Sequence, residues 1–548
     1  MYVLIFAHTS EVVSEMSFKP GLRLALPESG IIVRKSGKYR YVYKVLSTFR
    51  TVTGQPTNTR KLIGKVDSES GMLIPNEAYW ELFGAENSPP SFATYESVRS
   101  IGATFLVKSI LFGLGVFEIL EKVFGNSKAS SILTAAIYMV CRGNIFERVQ
   151  NWCEGYTLNE IPLSAGGATI LFSSVSHDER MEFFKYWIAL RNQREYLAYD
   201  VTSFSTYATG IHDAEWGYNR DKENLQQINL GCYLSQNDGM PLFYVTYPGS
   251  ITDKSHLPFI MAYNDELGID DVCFVTDKGF CMAHNIKYMH ATKKSYICGA
   301  DVSHKTILDS VKDVMADILS MKNFIKQGVY AQTVHSRFYG VKSYLHVYLD
   351  PVTAERQRKD LYRTVEQEDE KLMKREQLTK KEAKQHSKYF DIMVAENGTF
   401  TYQRNYDKVD AIAKTFGFFG ILTNQEICNE DALSIYRRKD TVEKGFDELK
   451  NHIDMKRLRT HNSNTTDGKM FSAFIALIAV SRMAYYLSDY MKSKSMSKDG
   501  LISELEKIKI VTMTNGTRLM NPITKTQRTI LDACKLSEEE LKIYIQEQ

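Results

Sequence analysis

Between Tyr436 and Lys450 the chain reads Tyr-Arg-Arg-Lys-Asp-Thr-Val-Glu-Lys-Gly-Phe-Asp-Glu-Leu-Lys, and this stretch restricts the fold more than any other. On a helix at about 100° per residue, Tyr436, Lys439, Glu443 and Lys450 fall at about 0°, −60°, −20° and −40°, within one narrow stripe. Ile435, Val442, Phe446, Leu449 and Ile453 form a second, apolar stripe between about −80° and −140°. Such a helix must bury one side against another layer. It then carries a carboxylate, two ammonium groups and a phenol along the edge of that seam. A metal-binding carboxylate among phosphate-binding cations suits polynucleotidyl transfer. The plainer alternative is a solvated amphipathic helix braced by i,i+4 pairs such as Asp440–Lys444.

At 548 residues the chain exceeds the size at which a single core stops growing, so two to four domains are expected. With 44% apolar and 24% charged residues it reads as globular, neither disordered nor fibrous. A net charge of +3 does not by itself argue for nucleic acid; any basic footprint has to be local. The eight cysteines include no Cys-x-x-Cys pair, which points to reduced thiols of an intracellular protein rather than a structural zinc site. The apolar start Met1–Ala7 lacks a basic leader, so no secretory signal is expected. The most apolar run, Ile101–Leu120, is interrupted by Lys108, Ser109 and Glu118 and is expected to be a buried helix, not a membrane span.

Residues 22–75 alternate at period two between glycine-bearing breaks and read as short strands. Apolar residues three and four apart at 101–124, 128–142 and 145–153 describe an all-α module. Four strands are expected in 194–300: Tyr196–Val201, one within Gly239–Tyr247, Val272–Asp277 and Ser295–Gly299. Another is expected at Tyr339–Leu349. The mixed charges of Glu355–Lys388 suit a solvated helix, and Asn397-Gly398 signals a hairpin with a type I′ turn. Helices resume at about 429, and the last fifty residues read as a small helical tail.

Asp200 and Asp277 each lie on or just after an apolar β-run, where a side chain can face a crevice. With Glu443 they make an all-oxygen donor set suited to Mg²⁺ or Mn²⁺. Two such ions would activate the attacking hydroxyl and stabilise the leaving oxygen at phosphorus. Lys439 and Lys450 can neutralise phosphates and Tyr436 can hydrogen-bond or stack, with Arg437, Arg438 and Arg457 close by. Asp253, Asp270, Asp271, Asp447 and Glu448 are spare carboxylates. His256, His284 and His461 read as polar residues of the framework.

Tyr436, Glu443 and Lys450 match the spacing of the Y-R-E-K signature, and the ordered set of motifs resembles a branch of bacterial insertion-sequence transposases of the DDE type. Lys439 stands where the signature has arginine, and Arg438 is one residue out of register. Asp200-Val-Thr-Ser-Phe and Phe274-Val-Thr-Asp277-Lys-Gly-Phe resemble the two aspartate motifs of that branch. Gln227–Gly231, Asp238–Leu242 and Tyr247–Asp253 resemble the segments between them.

The resemblance implies an α/β fold, a ribonuclease-H-like catalytic core with a β-rich insertion, preceded by a β-rich region and an all-α module. The segments would be 1–95 (β-rich, binding DNA ends), 96–190 (helical, also binding DNA), 191–300 (first part of the core), 301–425 (β-rich insertion with a charged helix), 426–495 (last part of the core) and 496–548 (helical tail). It also implies Asp200, Asp277 and Glu443 as catalytic metal ligands for two Mg²⁺ or Mn²⁺ ions. Tyr436, Lys439, Lys450, Arg437, Arg438 and Arg457 would contact DNA. The partners would be terminal inverted repeats and target DNA, with a homodimer in the active complex, no membrane, and a cytoplasmic, nucleoid-associated bacterial setting. Two other readings stay open at this point: a metal-dependent nuclease without strand transfer, and a non-catalytic DNA-binding descendant.

Overall fold

The computed structural model describes residues 23–51, 54–83, 95–157, 162–191, 196–269 and 272–547. Met1–Ala7, Thr53, Asp270 and Asp271 lie outside the described residues. The chain forms two compact units: Met1–Glu96 with Met513–Asn515, and Ser97–Thr512 with Gly516–Gln548.

In the first unit, β1 (Ile31–Ser36), β2 (Tyr39–Arg50), β3 (Pro56–Val66) and β4 (Leu73–Pro75) form an antiparallel meander, followed by α1 (Glu77–Phe83). Val42, Ile63, Val66 and Leu73 make its small core.

After β5 (Tyr95–Ser100), the second unit continues with a helical module. It comprises α2 (Gly102–Gly113), α3 (Val116–Phe124), α4 (Asn126–Arg142), α5 (Val149–Tyr156), α6 (Ala165–Ser174) and α7 (His177–Arg191). Ile101–Leu120 is therefore not one helix: α2 and α3 meet at 77°, where Gly115 takes a positive φ of 72°.

The sheet elements follow as β6 (Tyr196–Thr206), β7 (Gln226–Ser235), β8 (Pro241–Pro248), α8 (Asp253–Glu266), β9 (Cys273–Thr276), α9 (Ala283–Ala291), β10 (Ser295–Ala300), α10 (Lys305–Met315), β11 (Phe324–Ile325), β12 (Val329–Phe338) and β13 (Val341–Leu349). Next come α11 (Pro351–Met373), α12 (Lys380–His386), β14 (Phe390–Val394), β15 (Phe400–Arg404), α13 (Tyr406–Ala413) and β16 (Phe418–Thr423). The chain closes with α14 (Asn429–Arg437), α15 (Asp440–Asp447), α16 (Ser463–Lys494), α17 (Lys498–Leu505), β17 (Lys509–Met513), β18 (Arg518–Met520), α18 (Lys525–Ala533) and α19 (Glu538–Glu547). The tail thus contains a β-hairpin, β17–β18, in addition to the helices expected there.

One nine-stranded sheet organises the unit, in the order β11-β12-β13-β16-β10-β9-β6-β7-β8. β6–β9 and β9–β10 are parallel, and the other pairs are antiparallel. β6 is buried along nearly its whole length, which explains a run with little polar alternation. From Met470 to Val480 α16 is buried on every side, packed by α2, α4, α6 and β8, and this stretch is almost wholly apolar for that reason. Among the described helices it alone is, by itself, long and apolar enough to cross a membrane, and 78% of its apolar window is buried within the protein.

The segment between β13 and β16 holds its own cluster, built on Leu361, Val365, Leu372, Leu378, Phe390 and Val409. The β14–β15 hairpin does not use a type I′ turn, which needs positive φ at both central residues. Only Gly398 is left-handed (φ 85°), and Ala395 pairs with Thr399 around a three-residue loop.

Candidate active site

Strand register builds the site. Parallel pairing sets Tyr199 opposite Thr276 and Thr276 opposite Cys298, so the next residues, Asp200, Asp277 and Gly299, form a row across β6, β9 and β10. Asp277 directly follows β9, whereas Asp200 lies mid-strand, because β6 runs five residues beyond the stretch expected from sequence. Asp277 caps the turn Lys278–Phe280: its Oδ1 accepts the Lys278 N–H at 2.7 Å. The Tyr436 hydroxyl donates to the same oxygen at 3.3 Å. Gly299 makes room for that phenol, since a Cβ there would overlap the Tyr436 hydroxyl. Burial, reinforced by the Asp277 charge, pushes the Tyr436 pKa far up and keeps it a proton donor.

Asp200 is buried. Burial is the largest influence on it and raises its pKa above the usual carboxylate range; neighbouring Asp277 adds to this. Arg220 at 3.7 Å, the Val201 N–H at 2.8 Å and the charge of Lys439 pull the other way. Arg220 also pairs with Asp253 at 2.8 Å, whose other oxygen accepts from the Tyr247 hydroxyl at 2.8 Å. Nothing in the sequence singles out Arg220, which sits in a polar loop. Asp253 stood out as a spare carboxylate and as the end of the Tyr247–Asp253 segment, not as a partner of Arg220.

The helix carrying Glu443 is interrupted, and this corrects the single continuous helix expected over 436–450. α14 ends at Arg437, α15 starts at Asp440, and a π-turn covers Glu448–His452. The apolar seam survives: Ile435, Val442, Phe446, Leu449 and Ile453 are all buried. Gly445 brings α15 close to the sheet, where a Cβ would come within 2.5 Å of Leu234 Cδ2.

The polar stripe is redistributed. Lys439 is 8% exposed, and its ammonium lies 3.3 Å from Oε1 of Glu443, whose side chain is 60% exposed. Lys450, turned by the π-segment, pairs with Asp221 at 2.8 Å. Arg457 pairs through Nη2 with Glu223 at 2.7 Å. Arg437 and Arg438 are exposed, and Asp440–Lys444 forms the anticipated pair at 2.7 Å. His256 stacks on Tyr247, with ring centroids 4.0 Å apart. Glu448 is tied to Lys498, away from the aspartates.

Asp200, Asp277 and Glu443 are oxygen donors of the kind that hold hard divalent cations. Among the described residues, no three of His, Cys, Asp and Glu stand together tightly enough to hold an ion. Glu443 instead meets the Lys439 ammonium. The chemistry of these three donors suits such a cation, while the side-chain arrangement pairs Glu443 with Lys439.

The family model "Transposase DDE domain" matches residues 191–479, more than half of the chain. The chain belongs to this family of DDE-type transposases. The match spans the sheet from β6 through α16, including all three acids. A cryo-EM structure of a piggyBac transposase synaptic complex with hairpin DNA is similar at 11% identity, with a TM-score of 0.29, over 67% of this chain. The similarity spans 60% of the length of that chain. No curated protein matches.

Proposed function

We propose that this transposase cuts DNA at the terminal inverted repeats of its own element and joins the 3′ ends to target DNA. In this reading Asp200, Asp277 and Glu443 hold two Mg²⁺ or Mn²⁺ ions on a ribonuclease-H-like core formed by β6–β10. The carrying observation is the register that sets Asp200 beside Asp277, with the Glu443 helix seated on β6 and the adjoining β7. The cations, when bound, would activate the attacking oxygen and stabilise the leaving one.

The remaining roles belong to side chains. Tyr436 donates to Asp277 and fixes its rotamer. Arg220 holds Asp200 from the opposite side. Lys439 pairs with Glu443 and, with Tyr436, Lys450, Arg437, Arg438 and Arg457, is proposed to face the DNA backbone. Lysine in place of the signature arginine gives a point charge rather than a two-pronged grip. The Y-R-E-K branch, a bacterial source, the dimer with two DNA ends and a cytoplasmic, nucleoid-associated setting are part of the same proposal.

The test is cleavage and labelled 3′-end joining of a duplex bearing the element's own ends, with Mg²⁺ and with EDTA. Asp277→Asn is expected to lower both steps by at least about a hundredfold while leaving DNA binding intact. Residual activity equal to wild type would refute the assignment. Cleavage without joining would leave a nuclease on the same core.

A further inference from the structure

Three aromatic side chains stand in solvent on the loop between β6 and β7. Tyr207 is 76% exposed, Trp216 59% and Tyr218 84%. Of the other three tryptophans, Trp152 and Trp187 are buried and Trp80 is half-buried. Leaving such surface in water is unfavourable, so its position needs a reason.

The loop is not a loose one. Glu215 pairs with Gln227 through both backbone groups, at 3.0 and 2.9 Å, and the Gly249 N–H donates to the Asp213 carbonyl at 3.2 Å. The Gln227 amide holds the Tyr218 carbonyl at 3.0 Å, and the Asn219 amide reaches Ser205 at 3.0 Å. The His212 N–H donates to Ser463 Oγ at 2.9 Å. Gly217, between Trp216 and Tyr218, lies against the Gly249 carbonyl with no room for a Cβ. The aromatics are therefore held out on a fixed frame.

That frame leads straight to the acids. Arg220, two residues after Tyr218, spans Asp200 and Asp253. The Arg457 guanidinium lies 5.5 Å from the centre of the Tyr207 ring, and Lys450 and Lys456 reach the loop through Asp221 and Glu223. Exposed rings on a fixed loop that is tied at its base to Arg220, Lys450, Lys456 and Arg457 offer a single nucleic-acid strand stacking for its bases, with basic side chains nearby for its phosphates.

We propose that Trp216 and Tyr218, with Tyr207 of the same loop, form a stacking platform for unpaired bases of a DNA strand entering the site at Asp200. The proposal rests on the reading of Asp200 as part of the reaction centre. It adds a preference for DNA opened next to the scissile phosphate over fully paired duplex.

The experiment measures binding of the full chain, in EDTA, to two fluorescent probes: a duplex with a short single-stranded gap, and the same duplex sealed. Trp216→Ala and Tyr218→Ala are each expected to weaken binding of the gapped probe by about tenfold. Binding of the sealed probe should be unchanged, and Trp216→Phe should keep most of the preference. Gapped DNA should also quench the tryptophan emission of the wild type but not of Trp216→Phe. Equal losses on both probes, or no loss on either, would overturn the proposal. So would alanine variants that bind both probes normally but sediment differently, since the aromatics would then belong to a protein contact. Because no metal is present, these results are separable from the enzymatic reading. Absent Mg²⁺-dependent cleavage by the wild type would defeat that reading while leaving the binding difference in place.

Discussion

A missing Cβ at Gly299 sets the position of Tyr436. The phenol reaches Asp277 across β10 only because the residue beside Asp277 has no side chain, and a Cβ there would also sit 3.1 Å from the Lys278 nitrogen. Gly299→Ala is expected to destabilise the protein by about 1–3 kcal/mol through this overlap. Tyr436→Phe removes the crowded hydroxyl, so the double variant should recover part of the loss, giving a non-zero coupling in urea denaturation of the four proteins. Additive effects would mean that the two residues do not share the space. The pairing of Asp200 with Asp277 was legible at this scale, because a carboxylate on or just after an apolar β-run is conspicuous. Gly299 and Arg220 were not. One acts by what it lacks, and the other is one charged residue among Asp213, Glu215, Asp221, Lys222 and Glu223 of its loop.

At the scale of elements, the apolar seam of 435–453 was readable, because burial of every third or fourth residue tolerates a break. The polar stripe was not, since a π-turn at Glu448–His452 redirects everything after it and sends Lys450 to Asp221. β12 escaped notice because Gln332, His335, Ser336 and Arg337 interrupt its alternation on both faces, which stay partly in water there. α16 brings a different cost, a lysine inside the core. The Lys469 ammonium is enclosed, 3.0 Å from the Leu458 carbonyl, and burial lowers its pKa from 10.5 to about 7. The unfolded chain holds that proton up to about pH 10.5 and the folded chain releases it at about 7. Between these values the unfolded state binds more protons, so this residue's burden on stability is full below pH 7 and fades as pH rises. Lys469→Met should therefore gain stability relative to wild type most at pH 7. The gain should shrink by a few kcal/mol towards pH 10, as read by urea denaturation across the range. A difference that does not change with pH would mean that the ammonium keeps its proton when folded.

Across the whole molecule, the strand order β8-β7-β6-β9-β10 shows how remote segments meet. The chain from Asp277 to Glu443 leaves the sheet edge at β10, adds β11–β13 and β16 beyond it, and returns through α14. Sequence patterns identified β6, β8, β9, β10 and β13 but not this order, because pairing between distant segments leaves no local trace. The excursion between β13 and β16 has its ends side by side. Leu349 pairs with Phe418, and the Asp350 N–H donates to the Gly417 carbonyl at 2.9 Å. With a hydrophobic cluster of its own, residues 351–416 load little onto the sheet. Replacing them with an Asn-Gly turn between Asp350 and Gly417 would leave β13–β16 as a two-residue hairpin. The shortened chain is expected to stay soluble and to unfold cooperatively, with a smaller urea m-value in proportion to the surface removed. It should also keep the Tyr436–Asp277 arrangement, so that the Gly299–Tyr436 coupling measured in it equals that of the full chain. A shortened chain that aggregates or melts without a transition would show that the excursion is needed to hold β16 against β10, and with it the return path to Glu443.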